Sequence, residues 1–170
     1  YAVRTVAVTS AISPQATPNG QHQIVYCDTV GPVYALEVFV MNPDGSHAVQ
    51  LTDVANNNWQ GASWFPTSDA LVGALDYRLV RLDLGTDANN DLVVVSTTDL
   101  QAGTPFDASF LGSPVVSPDG KHLYVTAQSG DSIAVFSRDA DTGALTFVEA
   151  LFDDTGGING LWGAYGLAVS

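Results

Sequence analysis

The sequence predicts an all-β chain of repeated four-stranded antiparallel meanders. Three observations predict it: a turn-and-strand motif that recurs along the chain, a supply of turn residues (16 Gly and 8 Pro), and the lack of any sustained helical period. Pro18-Asn19-Gly20-Gln21-His22-Gln23-Ile24-Val25-Tyr26 aligns with Pro118-Asp119-Gly120-Lys121-His122-Leu123-Tyr124-Val125-Thr126, an offset of 118 − 18 = 100 residues. A divergent copy, Pro66-Thr67-Ser68-Asp69-Ala70-Leu71-Val72-Gly73, lies 66 − 18 = 48 residues after the first. A period of about 50 residues is the scale of one β-propeller blade.

The third copy is the clearest. Gly112–Ser117 reads as an apolar strand, and Pro118-Asp119-Gly120 as a tight turn in which Pro fixes φ and Gly supplies a positive one. Lys121–Ala127 is a second strand rich in β-branched and aromatic residues. Ser132–Ser137 follows with period-two alternation, and after the Asp141-Thr142-Gly143 turn Ala144–Phe152 completes the meander. The second copy predicts strands at Gly61–Phe65, Ala70–Leu75, Arg78–Leu84 and Asp91–Thr97. The first predicts a weak strand at Ala11–Ala16, then Gln23–Cys27, Leu36–Met41 and Ala48–Leu51, with Asn42-Pro43-Asp44-Gly45 as the last hairpin turn.

The blades therefore fall at about 11–55, 59–100 and 110–153 of a single β-propeller segment, 1–170. Tyr1–Thr9, within a leading half-blade of residues 1–10, reads as the end of a preceding blade. Residues 164–170 read as a trailing one, because Gly166–Ser170 matches Ser113–Ser117. A lone blade exposes two faces and two edges, and closure takes four to eight of them. Three blades plus two half-blades imply a segment of a longer propeller, or a chain completed by other subunits.

Composition narrows the partners. Eighteen acidic residues stand against five basic ones, a net charge of −13, which repels a phosphate backbone and argues against nucleic-acid binding. A solvated acidic surface is the simplest reading; cation binding or a salty environment are the sharper ones. No apolar run reaches the ~18 residues of a membrane-spanning helix. Cys27, the lone cysteine, sits in an apolar strand and reads as a buried structural thiol.

Candidate chemistry is sparse. Asp87, Asn89 and Asp91 place oxygen ligands at alternate positions, as calcium requires, and calcium is the one cofactor the sequence suggests. Leu92 and Thr98 stand where an EF-hand-type loop needs Gly and Glu, so a plain hairpin loop competes with that reading. His22 and His122 occupy equivalent repeat positions and read as structural; His47 follows a turn and reads as solvated. Trp59 and Trp162 precede first strands, in loops on one propeller face. With Asn57 they form the expected partner-contact surface, against the alternative of packing between blades. No nucleophile elbow, metalloprotease motif or phosphate-cradling loop occurs, and no catalytic residue can be assigned.

The run Ser117–Thr126, then Ile133-Ala134-Val135-Phe136-Ser137-Arg138 and Thr142-Gly143-Ala144-Leu145, resembles the lactonase-type seven-bladed propellers, a family that includes 6-phosphogluconolactonase-like enzymes and YVTN cell-surface repeat proteins. That resemblance spans residues 112–170. Val38-Phe39-Val40-Met41-Asn42-Pro43-Asp44-Gly45-Ser46, with Gln50-Leu51-Thr52, is similar to the WD40-like repeats of TolB-type periplasmic proteins, over residues 18–53. The resemblances imply a propeller and a secreted, periplasmic or cell-surface setting. The expected function is a non-enzymatic binding or scaffold module whose partner is another protein or further copies of the chain. The alternative is part of a lactonase-like hydrolase.

Overall fold

The computed structural model describes residues 7–12, 16–30, 35–53, 59–76, 78–100, 111–112 and 114–170. Among them lie three four-stranded antiparallel sheets and no α-helix, so the chain is all-β, as the repeat predicts. The first sheet runs β1 (Ala7–Ile12), β2 (Ile24–Val30), β3 (Ala35–Met41) and β4 (Val49–Gln50). The second runs β5 (Trp59–Trp64), β6 (Ala70–Leu75), β7 (Arg78–Thr86) and β8 (Leu92–Asp99). The third runs β9 (Val115–Val116), β10 (His122–Ala127), β11 (Ser132–Arg138) and β12 (Leu145–Phe152). In each sheet the spatial order follows the chain order, which is the blade meander.

An antiparallel meander sends its first and third turns to one end and its second to the other. The first and third turns share one chemistry in all three blades: a short Asp or Asn side chain accepts hydrogen bonds from within its own turn. Asn19 Oδ1 accepts from the Thr17 hydroxyl (2.6 Å) and the Gln21 amide (3.2 Å), and Asp119 Oδ1 from the Ser117 hydroxyl (2.6 Å) and the Lys121 amide (3.0 Å). Asp69 accepts from the Thr67 hydroxyl at the matching turn of the second blade. There Ser68, with φ 59°, takes the left-handed position that Gly20 and Gly120 hold in the other two. Asp44, Asp87 and Asp139 close the third turns in the same way.

Alternation along the strands divides the core into two layers between blades. On β6, Leu71 faces the first blade, where it joins Val25, Cys27, Val38, Val40, Trp59 and Leu82. Its neighbours Ala70, Val72 and Ala74 face the third, against Leu123, Val125, Ala134 and Phe136. A strand buried on both faces needs a continuous apolar run, and Ala-Leu-Val-Gly-Ala-Leu supplies it with side chains small enough for both neighbours to approach.

Charge holds the outer part of the second seam. The guanidinium carbons of Arg81 and Arg138 lie 5.0 and 4.7 Å from the centroid of the fully buried Phe65 ring. Arg81 Nε donates to Asp83 (2.6 Å), and Arg138 Nη1 to the Gly120 carbonyl (3.1 Å). Each guanidinium gains the face of the ring and an oxygen acceptor.

Several strands sit elsewhere than the sequence predicts. The first strand of the first blade is Ala7–Ile12, not Ala11–Ala16, so residues 7–9 belong to this blade rather than to a preceding one. Ala7 pairs with Cys27 and Ile12 with Ile24, while residues 13–15 of the expected strand lie outside the described residues. β9 is assigned at Val115–Val116, and along the predicted Gly112–Ser117 the pairing with β10 reaches back to the Gly112 amide, which donates to the Thr126 carbonyl (2.8 Å), and to a Leu111–Ala127 bridge; Ser113 lies outside the described residues. Residues 164–170 carry no strand among the described residues; a strand needs a ladder and no described segment forms one with them, so the trailing half-blade stands as an expectation.

Candidate functional site

Trp162 is 83% exposed, the most exposed of the large apolar side chains among the described residues. It stands on the connection that follows β12, at the tip of a tight turn closed by the Ala164 amide donating to the Leu161 carbonyl (2.9 Å). Gly163, with φ 65°, takes the third position of that turn, where a positive φ is needed. Both residues beside the tryptophan are anchored. The Leu161 amide donates to Asp153 Oδ1 (2.9 Å) and the Gly163 amide to Asp131 Oδ1 (2.8 Å). The two anchors are themselves tied, since the Asp153 amide donates to the Asp131 carbonyl (2.9 Å). Tyr165 then fixes the exit from the turn. Its hydroxyl donates to the Gln60 carbonyl on β5 (3.1 Å), and its carbonyl accepts from the Thr126 hydroxyl on β10 (2.8 Å). An indole held this way presents contact area without a large ordering cost.

The other expected contact residues lie differently. Trp59 opens β5 instead of preceding the strand; it is 2% exposed, its ring lies over Gly73, and it packs in the layer between the first two blades. Its indole nitrogen is buried without a partner, as is that of Trp64. Asn57 lies outside the described residues.

At the opposite end of the blades, a polar cleft of about 500 Å³ lies between the first and second blades. Its lining includes Asn19, Asn42, His47, Asn89 and Asp91. His47 Nε2 lies 2.6 Å from Asp91 Oδ1, and Asn90 Nδ2 donates to the Asn19 carbonyl (3.2 Å). The structure thus sets Asp91 against a histidine 44 residues away, with Asn89 in the same cleft. Asp87 points elsewhere: its Oδ1 accepts the amides of Asn89 (2.8 Å) and Asp91 (2.9 Å), and its Oδ2 the Asn89 side chain (3.3 Å). These bonds hold the Asp87 carboxyl below its ordinary value, the Asp91 amide contributing most. Among the described residues no group of three or more His, Cys, Asp or Glu is set to hold a metal ion. A smaller cleft of about 330 Å³, lined by Arg81, Asp83, Asp99 and Gly143, lies over the second seam.

Cys27 is 2% exposed, and burial pushes its thiol up to about 12, with the charge of Glu37 adding to the effect. No helix among the described residues is long and apolar enough to cross a membrane.

The sequence alone did not pair His47 with Asp91, nor Arg138 with Phe65, because each contact joins different blades. The anchoring aspartates were also missed: Asp131 is 32 residues from the amide it holds.

Comparison with known proteins agrees with this architecture. A family model for the lactonase seven-bladed β-propeller matches residues 73–156, most of the second and third blades. It does not reach residues 18–53. No curated protein matches the chain in sequence. Among solved structures, a candidate 6-phosphogluconolactonase from Bacteroides uniformis superposes with a TM-score of 0.53 at 21% identity, covering 83% of this chain and 39% of its own. A second candidate 6-phosphogluconolactonase, from Bacteroides fragilis, gives 0.50 at 17% identity, over 80% of this chain and 37% of that one. The β-propeller domain of Cps50 (Swd1) from Myceliophteria thermophila gives 0.53 at 15%, over 77% and 41%. The chain spans about two-fifths of the length of these structures. It is a run of β-propeller blades that resembles the lactonase-type seven-bladed propellers.

Proposed function

We propose that the chain is a non-enzymatic binding module, the part of an exported or cell-surface β-propeller that engages a partner through the face bearing Trp162. The observation that supports this reading is the 83% exposed indole on a turn whose two flanking amides are each held by a carboxylate. Apolar area displayed on a fixed loop suits recognition, since little ordering entropy is lost on contact. None of the motifs that activate a nucleophile or cradle a phosphate occurs in the sequence, which supports the same side.

A second reading, part of a lactonase-like hydrolase, is favoured by the family match over residues 73–156. The two part company in one assay. The purified chain, and the longest native protein that carries it, are incubated with a panel of sugar and aliphatic lactones, with and without divalent metal. The binding reading expects hydrolysis no faster than in buffer. Saturable turnover that disappears on heat denaturation would establish the hydrolase instead.

A further inference from the structure

The charge around Trp162 points to what it binds. Asp153 and Asp154 follow β12 at the end of the blade that carries Trp162, and residues 139–170 hold no Lys, Arg or His. Asp131, from the third blade, adds another at the foot of the turn. The Lys and Arg side chains of the third blade stand away from the turn: Arg138 flanks Phe65 in the second seam, with Arg81 of the second blade, and Lys121 lies on a first turn, at the other end of the blade. Arg78 opens β7 on the second blade, 72% exposed and 3.9 Å from Asp99. Approach to the indole is open, because Trp162 is 83% exposed.

We infer that the Trp162 turn is a docking point for a basic segment of a partner protein, with an arginine or lysine side chain stacked on the indole and flanking basic residues facing the carboxylates. The inference rests on the binding reading and gives it a partner class. Tryptophan has the strongest cation–π face of the aromatic side chains, and nearby carboxylates add attraction of the same sign. The same charges repel an acidic peptide or a phosphorylated one. A neutral sugar could stack on the ring but would gain nothing from the acidic surround.

The test uses a dye-labelled decapeptide of alternating Arg and Gly, with a Glu-Gly decapeptide and a neutral hexasaccharide as comparison probes. Anisotropy reads peptide binding, and Trp162 emission reads all three, because Trp59 and Trp64 are 2% and 3% exposed. The basic peptide is expected to bind saturably, to change the Trp162 emission, and to bind several-fold more weakly as salt rises past a Debye length of ~8 Å. Trp162→Ala, a change at a surface position, should weaken it about threefold or more, and Trp162→Phe by less. Equal binding of the basic peptide to Trp162→Ala overturns the inference, since diffuse charge would then account for it. So does preference for the Glu-Gly peptide. A Trp162-dependent response to the hexasaccharide alone overturns the basic partner but leaves the binding reading standing, whereas lactone turnover removes the reading itself.

Discussion

Arg81 fills the space that a side chain at Gly143 would occupy: a Cβ on Gly143 would lie 1.7 Å from Arg81 Nη1. Gly143 belongs to the third turn of the third blade and Arg81 to β7 of the second, so the contact closes the outer seam between blades. The same guanidinium lies over Phe65, which Arg138 flanks from the third blade. Burial, and then the neighbouring charge of Arg81, lower the pKa of Arg138, so the pair carries a repulsion that the ring and the surrounding aspartates offset.

Gly143→Ala should therefore destabilise the protein by about 1–2 kcal/mol. The left-handed backbone at φ 73° accounts for most of that, and displacement of the flexible Arg81 end for the rest. Urea unfolding checks it, through a lower midpoint at an unchanged slope. An unaltered midpoint would show that the turn relaxes freely.

Acid should loosen the turns. Asp44, Asp87, Asp119 and Asp139 all have carboxyl pKa values below the ordinary one, held down chiefly by Ser46, the Asp91 amide, Ser117 and Thr142 respectively. A carboxyl group whose pKa is lower in the folded state than in the unfolded stabilises the fold fully above the unfolded value of about 3.9, and that contribution is lost as pH falls through the folded one. The melting temperature should stay level from pH 7 to about 5 and fall below about 4. Asp119→Asn should shrink the fall, since Asn19 already closes the equivalent turn without a charge. A decline that begins near pH 6 would point to other groups.

The Asp87 loop is expected to melt identically in calcium and in chelator. Its first carboxylate is already used by two backbone amides, and Asp91 faces His47. A calcium-dependent rise of several degrees, removed by Asp91→Asn, would show that these side chains turn toward a cation instead.

Cys27 should resist thiol reagents at pH 8 for as long as the protein stays folded. A buried thiol with a pKa of about 12 offers almost no thiolate there. Full labelling should need denaturant, and labelling at a free-thiol rate in native buffer would contradict its placement.

The blade repeat was legible because its signals are local. Pro-Asn-Gly and Pro-Asp-Gly set their turns through their own φ preferences, and β10 and β11 alternate plainly. β1 was misplaced because its pairing with β2 is set by register across sheet neighbours, which a weakly patterned sequence does not reveal. The exposed tryptophan was legible only as a candidate. Trp59 and Trp162 look alike in sequence, yet one is buried against the first blade and the other stands in solvent. What separates them is tertiary: Trp59 has a facing sheet and Gly73 beneath its ring, whereas Trp162 has two neighbours tied down by Asp131 and Asp153.

The most direct measurement of the central claim is the backbone order of the Trp162 turn by ¹⁵N relaxation. The two carboxylate anchors and the Ala164–Leu161 closure predict order parameters for Leu161, Trp162 and Gly163 near the rigid value of about 0.85, falling toward the flexible range in Asp153→Ala. Values below about 0.6 in the unaltered protein would contradict the account, because the indole would then hang on a mobile loop and not on a prepared surface.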